Sequence, residues 1–118
     1  MDAMRMPAPH DLAQAPLWEI YIIAQSVAAM RGQIPKHALA VGVEIHGVRI
    51  KLKFQLSTVT EEDQTDMDDI LSELEAYVGQ GVEVQSAHEI RKERRVLPDG
   101  TDNLYNLYLS RYDETQCE

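Results

Sequence analysis

Between residues 39 and 56 apolar side chains fall on every second position in two successive runs, and no other stretch limits the fold as tightly. Leu39, Val41, Val43 and Ile45 alternate with Ala40, Gly42, Glu44 and His46. Val48, Ile50, Leu52, Phe54 and Leu56 then alternate with Arg49, Lys51, Lys53 and Gln55. A period of two is the mark of a strand with one buried face. His46-Gly47 between the runs predicts a short connection, so the pair is expected to be an antiparallel hairpin. Its apolar face needs a covering layer.

Two helices are expected to supply that layer. The first should begin at Pro16, where a missing amide costs nothing, and run to Met30 or Arg31 before Gly32 and Pro35. Ile20, Ile23, Ala24, Val27 and Met30 recur at helical spacing, and Trp18, Tyr21 and Ile22 widen the apolar face, which predicts cover on more than one side. The second should open at Thr60, with Asp63 three residues on as a capping-box variant and Glu61 and Glu62 at the positive end of the helix dipole. Met67, Ile70, Leu71, Leu74, Tyr77 and Val78 form its stripe, and Gly79 or Gly81 its stop.

Residues 82–90 predict a third strand, with Val82, Val84 and Ile90 on one side, and 104–112 a fourth. The expected fold is α+β in the order helix, hairpin, helix, hairpin (αββαββ), a four-stranded sheet with both helices on one face. Residues 1–15 are expected to form a flexible lead-in, 16–112 a single domain and 113–118 a tail. The polar connector 91–103 is long for a hairpin loop, so it is expected to be mobile around Pro98-Asp99-Gly100 and is a candidate functional loop.

At 118 residues the chain suits one hydrophobic core, and 44% hydrophobic residues argue for a folded domain despite a net charge of -9. The single cysteine, Cys117, has no partner for an internal disulfide, which fits a reducing compartment. Residues 1–16 lack the zones of a signal peptide, and the longest apolar stretch, 17–30, is interrupted by Glu19, Gln25 and Ser26. A cytoplasmic location without membrane attachment is therefore expected. The acidity disfavours a surface wholly devoted to nucleic acid and points to a basic partner.

The strongest functional signal lies on the second helix. Glu61, Glu62, Asp63, Asp66, Asp68, Asp69, Glu73 and Glu75 occur with no Lys or Arg between Thr60 and Ala76, so like charges repel at short spacing. Glu62, Asp66, Asp69 and Glu73 are the candidate partner-binding residues; a merely solvated face is the plainer reading. A second group is cationic: Arg91, Lys92, Arg94 and Arg95 in the connector, with Arg49, Lys51 and Lys53 on the polar face of the second strand. If both meet on one side they offer a surface to RNA or DNA, with Tyr105, Tyr108 or Tyr112 for base stacking; the competing reading is surface ion pairing.

Glu44 and His46 share a strand face, but His10, His37 and His88 show no ligand spacing to them, so no metal centre is expected. Ser86 and His88 are similarly short of a catalytic set. Gly79-Gln80-Gly81 follows a helix and lacks the strand-loop-helix setting of a phosphate loop, so no nucleotide cofactor is expected.

In size, acidity and element order, and above all in Val59-Thr60-Glu61-Glu62-Asp63 through Asp68-Asp69-Ile70-Leu71-Ser72-Glu73-Leu74-Glu75, the chain resembles small immunity proteins of bacterial polymorphic toxin systems. The resemblance implies a cytosolic, non-catalytic protein that blocks a toxin domain, through acidic surfaces where the toxin is a basic nuclease. The expectation is a protein-binding module, monomer or homodimer, with a basic protein partner. Its rivals are a nucleic-acid-associated domain using the cationic groups and a small enzyme using His46, Glu44 or His88.

Overall fold

A computed structural model describes residues 15–110. The expected tail 113–118, and the expected lead-in apart from Ala15, lie outside the described residues. Among the described residues two α-helices and four strands follow in order, α1 (Ala15–Met30), β1 (Ala38–His46), β2 (Arg49–Leu56), α2 (Glu61–Val78), β3 (Glu83–Ile90) and β4 (Leu104–Leu109), with a 3-10 turn at Thr101–Asn103 just before β4. The architecture is α+β, with two helices and one four-stranded mixed sheet ordered β3-β2-β1-β4.

β1 and β2 form the expected antiparallel hairpin, with His46 opposite Arg49. The turn is therefore Gly47-Val48, one residue later than expected, and Gly47 takes the positive φ of 61° that such a turn demands. Val48 leaves the apolar row and is exposed. Val41, Val43 and Ile45 join Ile50, Leu52, Phe54 and Leu56 in one buried cluster with Trp18, Ile22, Met67, Ile70 and Leu74. Leu39 is buried as well, whereas Leu71 is half-buried. α1 and α2 lie against one another, α2 also touching β3 and α1 touching β1 and β4.

The second hairpin does not form. β3 pairs with β2 in parallel and β4 pairs with β1 antiparallel, so the two strands stand at opposite edges of the sheet. The physical reason is the path between them. α2 carries the chain back along the sheet, as a crossover between parallel strands must, and sets β3 beside β2. The connector 91–103 then has to travel to the far edge. It crosses the sheet face opposite the core, where the Gln55 side chain donates to the Arg95 carbonyl (2.7 Å) and accepts from the Arg95 amide (2.8 Å). Around the tip expected to be mobile, Asp99 accepts from the Asn106 amide and side chain, at 2.9 and 2.6 Å.

α1 also departs from expectation. Trp18, Ile22, Ser26, Ala29 and Met30 face inward, leaving Leu17 (55% exposed), Ile20 (61%) and Val27 (42%) as an uncovered apolar stripe. Helical spacing pointed to the side of Ile20, Ile23, Ala24, Val27 and Met30, but apolar residues lie on most sides of this helix, so the inward face can shift to Trp18 and Ile22. Packing decides, and the Trp18 indole fixes the choice by donating to the Gly47 carbonyl at 2.8 Å. No helix among the described residues is long and apolar enough to cross a membrane.

Candidate functional site

α2 starts as its sequence dictates. Thr60 is the N-cap: its hydroxyl accepts from the Asp63 amide (3.1 Å) while Asp63 accepts from the Thr60 amide (2.9 Å), completing a capping box. Asp63 is fully buried and also accepts from the His37 amide (3.3 Å) and meets His37 Nδ1 at 2.7 Å. Burial alone raises its pKa, but the hydrogen bonds from Thr60 and His37 outweigh it and hold the carboxyl at about 2. This acid therefore belongs to the scaffold, locking α2 to the segment before β1. The cap was legible in the sequence; His37 was not, since nothing local links residues so far apart.

The four candidate acids, Glu62, Asp66, Asp69 and Glu73, recur along one stripe of α2. Glu62 and Asp69 are exposed, but Asp66 and Glu73 are half-buried, so the row is less open to solvent than expected. None of the four forms an ion pair with a Lys, Arg or His among the described residues. Partial burial, together with the charges of Glu62, Asp63 and Asp69, pushes the Asp66 carboxyl above its ordinary value.

The cationic groups behave differently. Arg49, Lys51 and Lys53 stand on the back face of the sheet, the face the connector crosses, so the two groups do meet there in part. Register places His46 and Glu83 beside Arg49, and Glu44 and Gln85 beside Lys51. Lys53 reaches Glu44 at 2.9 Å, and His46 lies 3.4 Å from the same carboxylate. The hydrogen bond from Lys53 holds Glu44 below its usual value although burial opposes it. In the connector, Arg91 lies 3.8 Å from Glu89 and Arg94 donates to the Ser110 carbonyl; Lys92 and Arg95 are exposed. Tyr105 and Tyr108 are half-buried against the core, and burial with the nearby Glu19 charge raises the Tyr105 phenol. Tyr112 lies outside the described residues.

Two clefts open on this back face. One, of about 370 Å³, is floored by Ala40, Gly42 and Ala87 and walled by Arg95, Leu97, Leu104 and Asn106. The other, of about 330 Å³, is polar and holds Glu44, His46, Lys51, Glu83 and Gln85. Among the described residues no three His, Cys, Asp or Glu side chains cluster closely enough to hold a metal ion.

No protein-family model matches the chain, and no curated protein matches it. Ser86 and His88, the other candidates for chemistry, are exposed on β3. Sequence reasoning missed the pairing of Gln55 with Arg95 and of Asn106 with Asp99, since each joins polar residues that look unremarkable in their own segments.

Proposed function

We propose that the chain is a non-catalytic protein-binding module that recognises a basic partner through the acidic stripe of α2, as an immunity-type protein neutralising a toxin would. The observation that carries this reading is an asymmetry of compensation. Lys53 and Arg91 face Glu44 and Glu89 of their own sheet, and Lys51 stands in register with the same Glu44 and Arg49 with Glu83, whereas Glu62, Asp66, Asp69 and Glu73 meet no cation of their own chain among the described residues. Uncompensated like charges on a rigid helix destabilise the free protein and are relieved when a cationic surface docks.

The nucleic-acid alternative has less support. Lys53 and Arg91 meet acids and Arg49 and Lys51 stand beside them, which leaves Lys92 and Arg95 as the exposed cations, and Tyr105 and Tyr108 pack on the core rather than offering a stacking platform. The enzyme alternative rests on His46, Glu44 or His88; Glu44 is engaged by Lys53, and His88 is exposed on β3.

The test is a triple variant, Asp66→Lys, Asp69→Lys and Glu73→Lys. The wild-type chain should recover a basic protein from lysate of its source cells, with an association rate that falls steeply as salt is added. The triple variant should remain folded and lose most of that rate. A partner captured at an unchanged rate by the triple variant would sink the proposal.

A further inference from the structure

The two edges of the sheet are finished differently. At β4 the connector supplies polar partners: the Gly100 amide donates to the Leu104 carbonyl at 2.8 Å and Asp99 accepts from the Asn106 amide at 2.9 Å. At β3, among the described residues, no strand or loop takes the outer edge. Every β3 residue except Val84 is exposed, and Ile90 is 63% exposed. Of the devices that blunt an edge, β3 carries charges near its two ends, Glu83 and Glu89, and no others. It has no Pro or Lys, and its register with β2 runs without a bulge from Glu83 to Ile90.

The direction of the open groups follows from the ladder. The Glu83 amide donates to the Val48 carbonyl and the Arg91 amide to the Leu56 carbonyl, so odd-numbered positions face β2. Even-numbered positions, 84 to 90, therefore present their N–H and C=O groups outward. A second β3 laid antiparallel about a two-fold axis must pair even with even positions. Centring the axis on Ala87 sets Val84 opposite Ile90 of the other copy and Glu83 opposite Arg91, each pair occurring twice. Centring it one residue earlier, on Ser86, sets Glu83 opposite Glu89, a like-charge contact made twice. Of these two registers, charge complementarity favours the one centred on Ala87.

We propose that β3 is a self-association edge: a second copy of this chain adds its own β3 antiparallel about a two-fold axis at Ala87, joining two four-stranded sheets into one continuous sheet. The pairing satisfies the outward backbone groups of both copies and covers Ile90 with Val84. It is independent of the α2 reading, since it uses none of the helix acids.

The test measures the mass of the full-length chain by light scattering across a concentration series. The wild type should approach twice the chain mass. Ser86→Pro removes an outward amide without touching the β2 ladder, and it should give single chains with an unchanged circular dichroism spectrum. Arg91→Glu should do the same by repulsion against Glu83, and adding Glu83→Arg to it should restore the dimer. Ala87→Cys in a Cys117→Ser background should cross-link under mild oxidation, because directly opposed Cα atoms in a non-hydrogen-bonded pair lie at about 4.5 Å, within disulfide reach. A wild type of single-chain mass at every concentration overturns the proposal. So does a dimer that survives Ser86→Pro and Arg91→Glu but dissolves on Ile20→Glu, which would place the interface on the apolar stripe of α1. A charge swap that fails to restore the dimer overturns the register at Ala87.

Discussion

Gln55 of β2 grips the backbone of Arg95 at both ends of its amide, donating to the carbonyl at 2.7 Å and accepting from the N–H at 2.8 Å, as a strand residue would. A side chain thereby holds the connector on the back face of the sheet. Replacing Gln55 by Ala should lower stability by about 1 kcal/mol, since both bonds are exposed, and should speed hydrogen exchange at the Arg95 amide. Gln55→Glu keeps an acceptor but no donor and should fall between the two. Unchanged exchange at Arg95 in the Ala variant would show that the connector is held elsewhere.

Asp63 sets an acid limit on stability. Its carboxyl lies at about 2 in the fold, against an ordinary value of 3.8. The folded state binds this proton less readily than the unfolded chain, so the stabilisation is full above pH 4 and is lost as pH falls toward 2. Its size is about 2 kcal/mol. Urea unfolding across that window should show the decline, and Asp63→Asn should be less stable at neutral pH with a shallower decline below pH 4. A parallel pH profile for both proteins would remove Asp63 as the cause.

The facing of α1 and the depth of Phe54 are open to a direct comparison. Phe54 and Ile22 are 1% and 0% exposed, while Ile20 is 61% exposed. Phe54→Ala should cost about 3 to 5 kcal/mol and Ile22→Ala about 2 to 4 kcal/mol by loss of packing and the cavity left behind. Ile20→Ser should stay within about 0.5 kcal/mol in the isolated monomer. Thermal or denaturant melts of the three variants check the ranking, and a large loss for Ile20→Ser would reverse the helix.

These contrasts show what local sequence encodes. The β1-β2 hairpin and the α2 cap were legible because period-two alternation and a Thr60-to-Asp63 box are short-range signals. The destination of β3 was not, because alternation within a strand says which face is buried and nothing about its neighbour. α1 is apolar on most sides, so spacing favoured Ile20 over Ile22, and the contact of Trp18 with Gly47 that reverses this preference joins residues far apart in the chain. The acids of α2 were visible as a run. That Arg49 lies in register with Glu83 depends on strand order, and so could not be read beforehand; that Lys51 lies opposite Glu44 follows from the hairpin turn falling at Gly47-Val48.

Asp66 carries a raised pKa from burial and from the charges of Glu62, Asp63 and Asp69. A raised carboxyl pKa means that ionisation opposes folding, so the penalty is present at neutral pH and is relieved as pH falls through the Asp66 titration. Asp66→Asn should therefore stabilise the protein at pH 7, by a few tenths of a kcal/mol for each like-charge pair relieved, about 0.2 to 0.5 each. The gain should shrink in high salt. A loss of stability in a denaturant melt would mean that Asp66 has a favourable partner.

The fourth strand reaches its place only by joining positions remote in the chain, Glu44 with Leu104 and Ala40 with Leu109. The β1-β2 ladder closes across a two-residue turn, so it meets almost no loop-closure entropy, whereas β4 must bear that of everything between. The two arms of the sheet should then form at different times, the hairpin first. Substitutions in the hairpin should slow refolding, those in β4 should mainly hasten unfolding, and the far edge is the last part of the molecule to become native.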